Sequence, residues 1–357
     1  MTLDSRINAQ IKRLQRSKNR TYPTAPTALV SGPKFEFSVG DPDQPFWIAS
    51  IDKVFIATLI MQLFDEGQYD PDTPIGELLP ADDLALIPQA PGTHVARDLT
   101  VQHLLSHTSG LPDVIFPPRG YQTKCSLNLM QSAPKHPWKI SELLREVEHL
   151  PALSKPGERF AYGDTNYLLL MRILEEARGQ DFGRQLRARI FEPCEMTESA
   201  RWVHAQPDTL DELANKLAEI WLFKPGRDDR YDLSKNLTWE SGFGGVSTAT
   251  ELVRFQHELH EGKLCDRRWV AYMSRPRHRL RPGIHYGTGL ATLRFSGFSP
   301  LLRAYPEPMG GIGYTATHMF YYPQQRSHLI LNFHSPKRMH TSFIAHIRLA
   351  QLIKKYG

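Results

Sequence analysis

A serine followed three residues later by a lysine is the shortest arrangement in this sequence that could do nucleophilic chemistry. Serine attacks poorly at its free pKa and needs a base or a positive charge beside it. Lysine supplies one or the other, according to whether it keeps its proton. The S-x-x-K spacing occurs three times, as Ser31 with Lys34, Ser50 with Lys53, and Ser132 with Lys135. The first and third have Pro33 and Pro134 between the two residues, in turn-like surroundings, whereas Ser50 opens the apolar run V-F-I-A-T-L-I-M-Q-L-F at 54–64. That run reads as a buried helix. Residues three apart share a helix face, so the Ser50 hydroxyl and the Lys53 amine can meet, at a helix start whose free N–H groups carry partial positive charge. A lysine partly desolvated there is expected to lose its proton near neutrality and act as base. Asp52, about 200° around the helix from Ser50, is expected to point elsewhere. The plainer alternative is that Ser50 caps the helix and Lys53 is a surface lysine.

Composition narrows the setting. A chain of 357 residues, 41% hydrophobic and 23% charged, is ordinary for a soluble globular protein and long enough for roughly two to three structural units. The run at 54–64 contains Gln62 and is well short of the about 20 apolar residues that cross a bilayer, so no membrane span is expected. The first twenty residues are polar with spaced Ile7, Ile11 and Leu14, unlike a secretory signal. The three cysteines, Cys125, Cys194 and Cys265, are far apart and lack C-x-x-C spacing, which argues against a disulfide framework or structural zinc and for a cytoplasmic location. Forty-three basic against 38 acidic residues give a net charge of +5, but the basic residues are scattered, so no nucleic-acid partner is expected.

The elements that must position the serine follow from periodicity. Residues 4–17 have apolar positions at i, i+4 and i+7 behind Asp4 and Ser5 as candidate caps, an amphipathic helix, and 341–355 repeats the pattern. Residues 28–30 and 35–39 flank the turn composition S-G-P-K and read as a hairpin, and 289–295, 315–322 and 328–333 read as strands. Between roughly 70 and 245 the texture is helical, with patches at 98–106, 138–149, 166–178 and 182–191. This order predicts an α/β (α+β) protein: an antiparallel sheet flanked by N- and C-terminal helices, formed by 1–69 and 246–357, with a mostly helical domain inserted at 70–245. The site is expected in the cleft between them. No H-E-x-x-H, Walker loop or G-x-S-x-G elbow occurs. His257 and His260 share a helix face without a third ligand and read as surface residues. Residues 311–316 fit G-x-G-x-x-A, but the residues after them alternate like a strand, so the dinucleotide context is missing.

With these residues in order, the sequence resembles the serine β-lactamase-like superfamily: class C β-lactamases, D-Ala-D-Ala carboxypeptidases, D-aminopeptidases and β-lactamase-like esterases. F-W-I-A-S-I-D-K at 46–53 and Q-L-F-D-E-G at 62–67 are similar to its nucleophile region. L-T at 99–100, H-L-L-S-H-T-S-G-L at 103–111, P-G-E-R-F-A-Y-G-D-T-N-Y at 156–167 and G-G-V-S-T-A at 244–249 come next in the expected order. The resemblance implies an acyl-enzyme on Ser50, with Lys53 and Tyr162 as proton-handling partners. Tyr162 stands in the Y-x-N or Y-x-D position, with Asp164 replacing the asparagine of the class C pattern. A carboxylate there holds Lys53 protonated more firmly, and the ammonium lowers the phenol pKa, which would make a Tyr162 tyrosinate the base. The family's K-T-G or H-T-G motif, counted back from Pro323, falls on Gly311-Ile312-Gly313, which lacks the basic and hydroxyl side chains that hold a substrate carboxylate. The N–H groups of Ser50 and Tyr314 can still form an oxyanion hole.

The primary expectation is therefore a serine hydrolase of small esters or amides that uses no metal or organic cofactor. A β-lactamase, carboxypeptidase or D-amino-acid amidase whose carboxylate contact comes from elsewhere, for instance Arg303, is the first alternative, and a non-catalytic binding protein the second. His318 is expected on the sheet surface, with a place in the pocket wall as the alternative; His107 is expected to order a loop, and 244–249 to permit close backbone packing.

Overall fold

The computed structural model describes residues 2–18, 24–126, 138–203, 205, 207–221 and 245–357; the Ser132–Lys135 pair and Gly244 lie outside them. The strands are β1 (Thr27–Ser31), β2 (Glu36–Val39), β3 (Phe46–Trp47), β4 (Val246–Ser247), β5 (His278–Arg281), β6 (Ile284–Tyr286), β7 (Ala291–Leu293), β8 (Met309–Gly313), β9 (Thr317–Tyr322) and β10 (Ser327–Asn332). Eight of them form one sheet in the order β2-β1-β10-β9-β8-β7-β6-β5, with every pair antiparallel, while β3 and β4 pair separately. The two ends of the chain meet in the middle of the sheet, where Thr27 faces Asn332 and Ser31 faces His328.

Strand periodicity distributes the apolar side chains between two cores, because successive residues point to opposite faces. Leu29, Met319 and Ile330 point into the larger core around the helix α2 (Asp52–Asp65). Ala28, Val30, Phe320, Leu329 and Leu331 point the other way, into a core closed by Leu14 of the N-terminal helix α1 (Leu3–Gln15) and Leu349 and Ile353 of the C-terminal helix. Thr2, rather than Asp4 or Ser5, caps α1, its hydroxyl accepting the Ser5 N–H at 3.3 Å. The further helices used below are α3 (Val101–Leu105), α4 (Asp164–Arg178), α5 (Ala249–His260) and α6 (Met339–Tyr356).

α2 is buried on nearly every face, as the apolar run requires. Two of its interior polar side chains donate to carbonyls: the Thr58 hydroxyl to Val54 at 2.7 Å, within the helix, and the Gln62 amide to Leu264 at 2.9 Å, from another segment. This helix carries Lys53 and packs against both β8 and α4. Among the described residues no helix is long and apolar enough to cross a membrane.

His318 departs from the sheet-surface expectation. Helices cover both faces of the central strands, so alternation on β9 carries its side chain into protein instead of solvent. Ser342 donates to the Met339 carbonyl at 2.7 Å, so its oxygen accepts from His318 Nε2 at 2.8 Å. His318 Nδ1 must then accept from His346 Nδ1 at 3.0 Å, and His346 Nε2 accepts from the Tyr322 hydroxyl at 2.7 Å. One direction of donation satisfies every group with both imidazoles neutral.

Burial holds several histidines well below their usual pKa: His318 and His334 at about 3, His328 at about 4, and His346 also well below through burial and the neighbouring His318. Their unfolded pKa is about 6.5, so the neutral native form contributes stability in full above that pH, and the contribution is lost as the pH falls towards the native values. Each such group contributes up to about 1.4 kcal/mol per pH unit in that window. Urea unfolding followed by tryptophan fluorescence should therefore show a clearly lower midpoint at pH 5 than at pH 7.5. Equal midpoints would contradict this account.

Candidate active site

Ser50 is presented by a bend that strand pairing sets up. β3 pairs with β4, the Ile48 N–H donates to the Gly245 carbonyl at 2.9 Å, and Ala49–Ile51 then make one tight 3-10 turn that runs into α2. Ala49 has φ 48°, a left-handed conformation that a residue with a side chain adopts at a cost of order 1–3 kcal/mol. The residue preceding α2 is Ile51 and no side chain caps the helix, so Ser50 is not its cap. The half-buried Ser50 instead lines a cavity of about 1090 Å³.

Lys53 Nζ lies 3.4 Å from Ser50 Oγ and forms an ion pair with Asp164, the first residue of α4. The two charged side chains are only 4% and 16% exposed. Burial by itself would lower the Lys53 pKa, but Asp164 first, then Tyr162 and Asp52, outweigh it and hold the amine well above the ordinary lysine value. Spacing within α2 leaves both a neutral and a charged lysine open, and the Asp164 carboxylate arriving from α4 favours the charged one, as the family pattern implies. The tyrosinate expectation is corrected. Burial raises the Tyr162 pKa more than Lys53 and a side-chain hydrogen bond with Ser50 lower it. The resting site thus holds an ammonium and a neutral phenol beside the serine. Asp52 also differs from expectation, being 2% exposed and part of the cavity lining, because α2 has no solvent face to turn it towards.

The segment carrying Tyr162 and Asp164 is fixed by His107. The Ala161 N–H donates to the His107 carbonyl at 2.8 Å, and His107 Nδ1 lies 3.3 Å from the Gly163 N–H that donates to it and 3.2 Å from Asn166 Nδ2. The imidazole packs against Tyr162 with centroids 4.2 Å apart and the ring planes tilted by 37°. Burial, then the charge of Lys53, hold it well below its usual pKa, so it is a neutral spacer. Tyr162 and Tyr167 each have Lys53 Nζ 5.6 Å from the ring centroid, within reach of a cation–π attraction. Tyr167 and Tyr286 share a hydroxyl contact at 3.0 Å. Sequence reasoning missed Tyr286 and Asp113 among the lining residues. Asp113 lies two residues beyond the end of the H-L-L-S-H-T-S-G-L match, so extending that match would have found it, whereas Tyr286 on β6 carries no local signal.

β8 closes the other side. A Cβ at Gly313 would lie 2.4 Å from the Ile48 carbonyl oxygen, so the strand passes directly against the turn that presents Ser50, and only glycine permits the approach. A Cβ at Gly311 would point at α2, 3.2 Å from Val54 Cγ2 and 3.5 Å from Ile51 Cγ1. Outside the regular ladders no described hydrogen bond uses the N–H of Ser50 or Tyr314. The G-x-G-x-x-A stretch is the β8–β9 hairpin, which agrees with the lack of a dinucleotide context. Neither Arg303 nor His318 lines the cavity; the basic side chains that do are Lys53, Arg281 of β5, and Lys337 and His340 from the start of the C-terminal helix and the turn before it. Leu111, Ile115, Phe116, Leu153, Phe298 and Phe343 make much of the wall apolar. Among the described residues no group of three or more His, Cys, Asp or Glu side chains could hold a metal ion.

Residues 40–352 match the family model described as Beta-lactamase, and the chain belongs to that family. It is 31% identical over 157 residues to penicillin-binding protein 4 of Amycolatopsis lactamdurans, covering 44% of this chain and 36% of that protein. It is 30% identical over 185 residues to monacolin J acid methylbutanoyltransferase of Aspergillus terreus, covering 49% of this chain and 42% of that one. The matches thus span well under half the length of these curated relatives. Among solved structures, D-amino acid amidase from Ochrobactrum anthropi SV3 superposes with a TM-score of 0.74 at 21% identity, covering 99% of each chain, which establishes the shared fold.

Two variants test this geometry. Gly313→Ala must push β8 away from the Ile48 carbonyl, and kcat/KM on an activated ester should fall about tenfold or more, an activation cost of about 1.4 kcal/mol, with the circular dichroism spectrum retained. In Asp164→Asn the largest charge that raises the Lys53 pKa is removed, so the pKa falls and the alkaline limb of kcat/KM should move to lower pH. A limb that stays in place would show that Asp164 does not set the charge of the lysine.

Proposed function

We propose that the protein is a serine hydrolase that forms an acyl-enzyme on Ser50 and releases it to water, with small neutral esters or amides as substrates. One observation carries this reading: the Ser50 hydroxyl lies beside both the Lys53 ammonium and the neutral Tyr162 phenol at the wall of a largely apolar cavity. Ser50 Oγ attacks the carbonyl carbon and passes its proton to the Tyr162 oxygen, while the Tyr162 proton goes to the leaving oxygen or nitrogen. The relay needs no tyrosinate in the resting enzyme. Lys53, held charged by Asp164, stabilises the negative charge that develops on the serine and phenol oxygens. The N–H groups of Ser50 and Tyr314 receive the carbonyl oxygen, and Gly311 and Gly313 keep β8 close enough for this. Water then attacks the acyl-enzyme carbonyl and the same relay returns the proton to Ser50.

The Gly311-Ile312-Gly313 stretch argues against a β-lactamase or D-Ala-D-Ala carboxypeptidase, because it offers neither cation nor hydroxyl to a substrate carboxylate. Acyl transfer to an alcohol, the activity named in the Aspergillus relative, is the same chemistry with another acceptor in place of water. The reading includes the division into 1–69 with 246–357 and 70–245, and a cytoplasmic location, supported by three buried free cysteines.

A fluorophosphonate probe should label the protein at Ser50, shown by intact mass and lost in Ser50→Ala. p-Nitrophenyl acetate turnover should exceed nitrocefin turnover, and Ser50→Ala should lower it by about a thousandfold or more. Nitrocefin as the better substrate would favour the β-lactamase alternative, and no labelling by several probes would favour a binding protein.

A further inference from the structure

The catalytic cavity has an apolar arm that the proposed reaction leaves unused. β7 pairs with β8 only at Met309 and Gly310, so beside 311–313 the edge of β8 that faces β7 carries no strand. Gly311 faces α2, and alternation turns Ile312 to the opposite face of the sheet. There it is joined by Leu280 of β5, Phe298, and Met339 and Phe343 of α6, each packed against the second core yet only half-buried, with the buried Ile284 of β6 beside them. All six line the same cavity as Ser50. Met339 and Phe343, four residues apart, share one face of α6. Two glycines hold Phe298 in place: a Cβ on Gly283 would stand 2.9 Å from three carbons of its ring, and a Cβ on Gly297 would stand 2.4 Å from the Gly283 nitrogen. The Phe298 ring lies 5.4 Å from that of Phe343, between centroids. The basic side chains of this region, Arg281, Lys337 and His340, are exposed. The fold thus leaves a fixed, concave apolar surface open, in a cavity of about 1090 Å³ that has room for far more than an acetyl group.

The direction of the arm assigns its occupant. In the proposed reaction the Tyr162 proton goes to the leaving oxygen, so the departing alcohol lies on the Tyr162 side. The Tyr162 and Tyr286 rings meet edge to face with centroids 5.7 Å apart, and Tyr286 and Ile284 alternate onto one face of β6. The cavity wall therefore runs from the phenol along β6 into the arm. We propose that the arm binds the alcohol part of the ester, so that the preferred substrates are neutral esters of apolar alcohols bearing an aryl or alkyl group. This rests on the hydrolase reading and names its leaving group. Each CH2 of such a group buried there is worth roughly fourfold in binding.

The test uses two isomeric esters, 2-phenylethyl acetate and methyl 3-phenylpropanoate, which carry the same phenyl group on the alcohol side and on the acyl side, with ethyl acetate as reference. kcat/KM for 2-phenylethyl acetate should exceed that for ethyl acetate by tenfold or more, and should also exceed that for its isomer. Met339→Trp fills the arm and should bring the ratio of the two acetates close to one. Should that variant fail to fold by circular dichroism, Leu280→Trp fills the arm from β5 with the same expected outcome. Equal rates for the two acetates, a preference for methyl 3-phenylpropanoate, or an unchanged ratio in a folded tryptophan variant would overturn the assignment. Binding of 2-phenylethanol to the Ser50→Ala protein, measured by calorimetry, requires no turnover. Adding Met339→Trp should weaken it tenfold or more, and absent or equal binding counts against the proposal. If no ester is hydrolysed while 2-phenylethanol binding that Met339→Trp weakens persists, the hydrolase reading fails and the apolar arm stands.

Discussion

The buried ion pair between Lys53 and Asp164 is the constraint on which the rest of this structure depends. Each residue sits at the start of a helix, and the two are 111 positions apart in sequence. Taking either charge out of water alone is costly, and removing one partner from such a pair typically costs about 3–5 kcal/mol, because it strands the other. Asp164 gains from the positive end of α4, whereas Lys53 sits at the wrong end of α2 for a cation. The pair therefore sets how the two helix starts approach one another. Once they do, the phenol of Tyr162, two residues before Asp164, comes up against Ser50 with no further adjustment. The ring of His107, wedged behind it, keeps that segment from relaxing away.

In the proposed mechanism this arrangement makes the lysine a source of field instead of a base. Both a desolvated neutral lysine and a charged one agree with S-x-x-K. The choice is made by the group that stands opposite, and here that is a carboxylate instead of the amide of the class C pattern. A glycine where a cation would stand on β8 has a complementary effect. It leaves Lys53 facing Asp52, Asp113 and Asp164 without help near the serine, and Arg281 and Lys337 reach the cavity as exposed side chains from β5 and from the turn before α6.

Much of the fold could be read from the sequence, since its signals are local. The apolar run at 54–64 selected one serine–lysine pair from three, and alternation located the C-terminal strands that zip against the N-terminal hairpin. The ordered motifs placed Tyr162, Asp164 and the glycines of β8 in one family pattern. The features that stayed hidden depend on which surfaces become covered. Period-two alternation says that His318 points to one face of β9, but not that α6 lies over that face. Helical spacing says that Asp52 points away from Ser50, but not that a helix buried all round has no outside. The Lys53 charge is legible only through the family pattern, which sets Asp164 against it, because spacing within α2 leaves it open.

The sheet's order of assembly has one more consequence. Ser50 and its helix leave the ribosome well before β8 and β9 exist, and β1 has no inner neighbour until β10 is made. Contacts so distant along the chain form late and slowly. In the proposed mechanism the nucleophile is therefore synthesised long before the strand that would cradle its developing negative charge, so the two halves of one catalytic pocket meet only when the last part of the polypeptide joins the sheet.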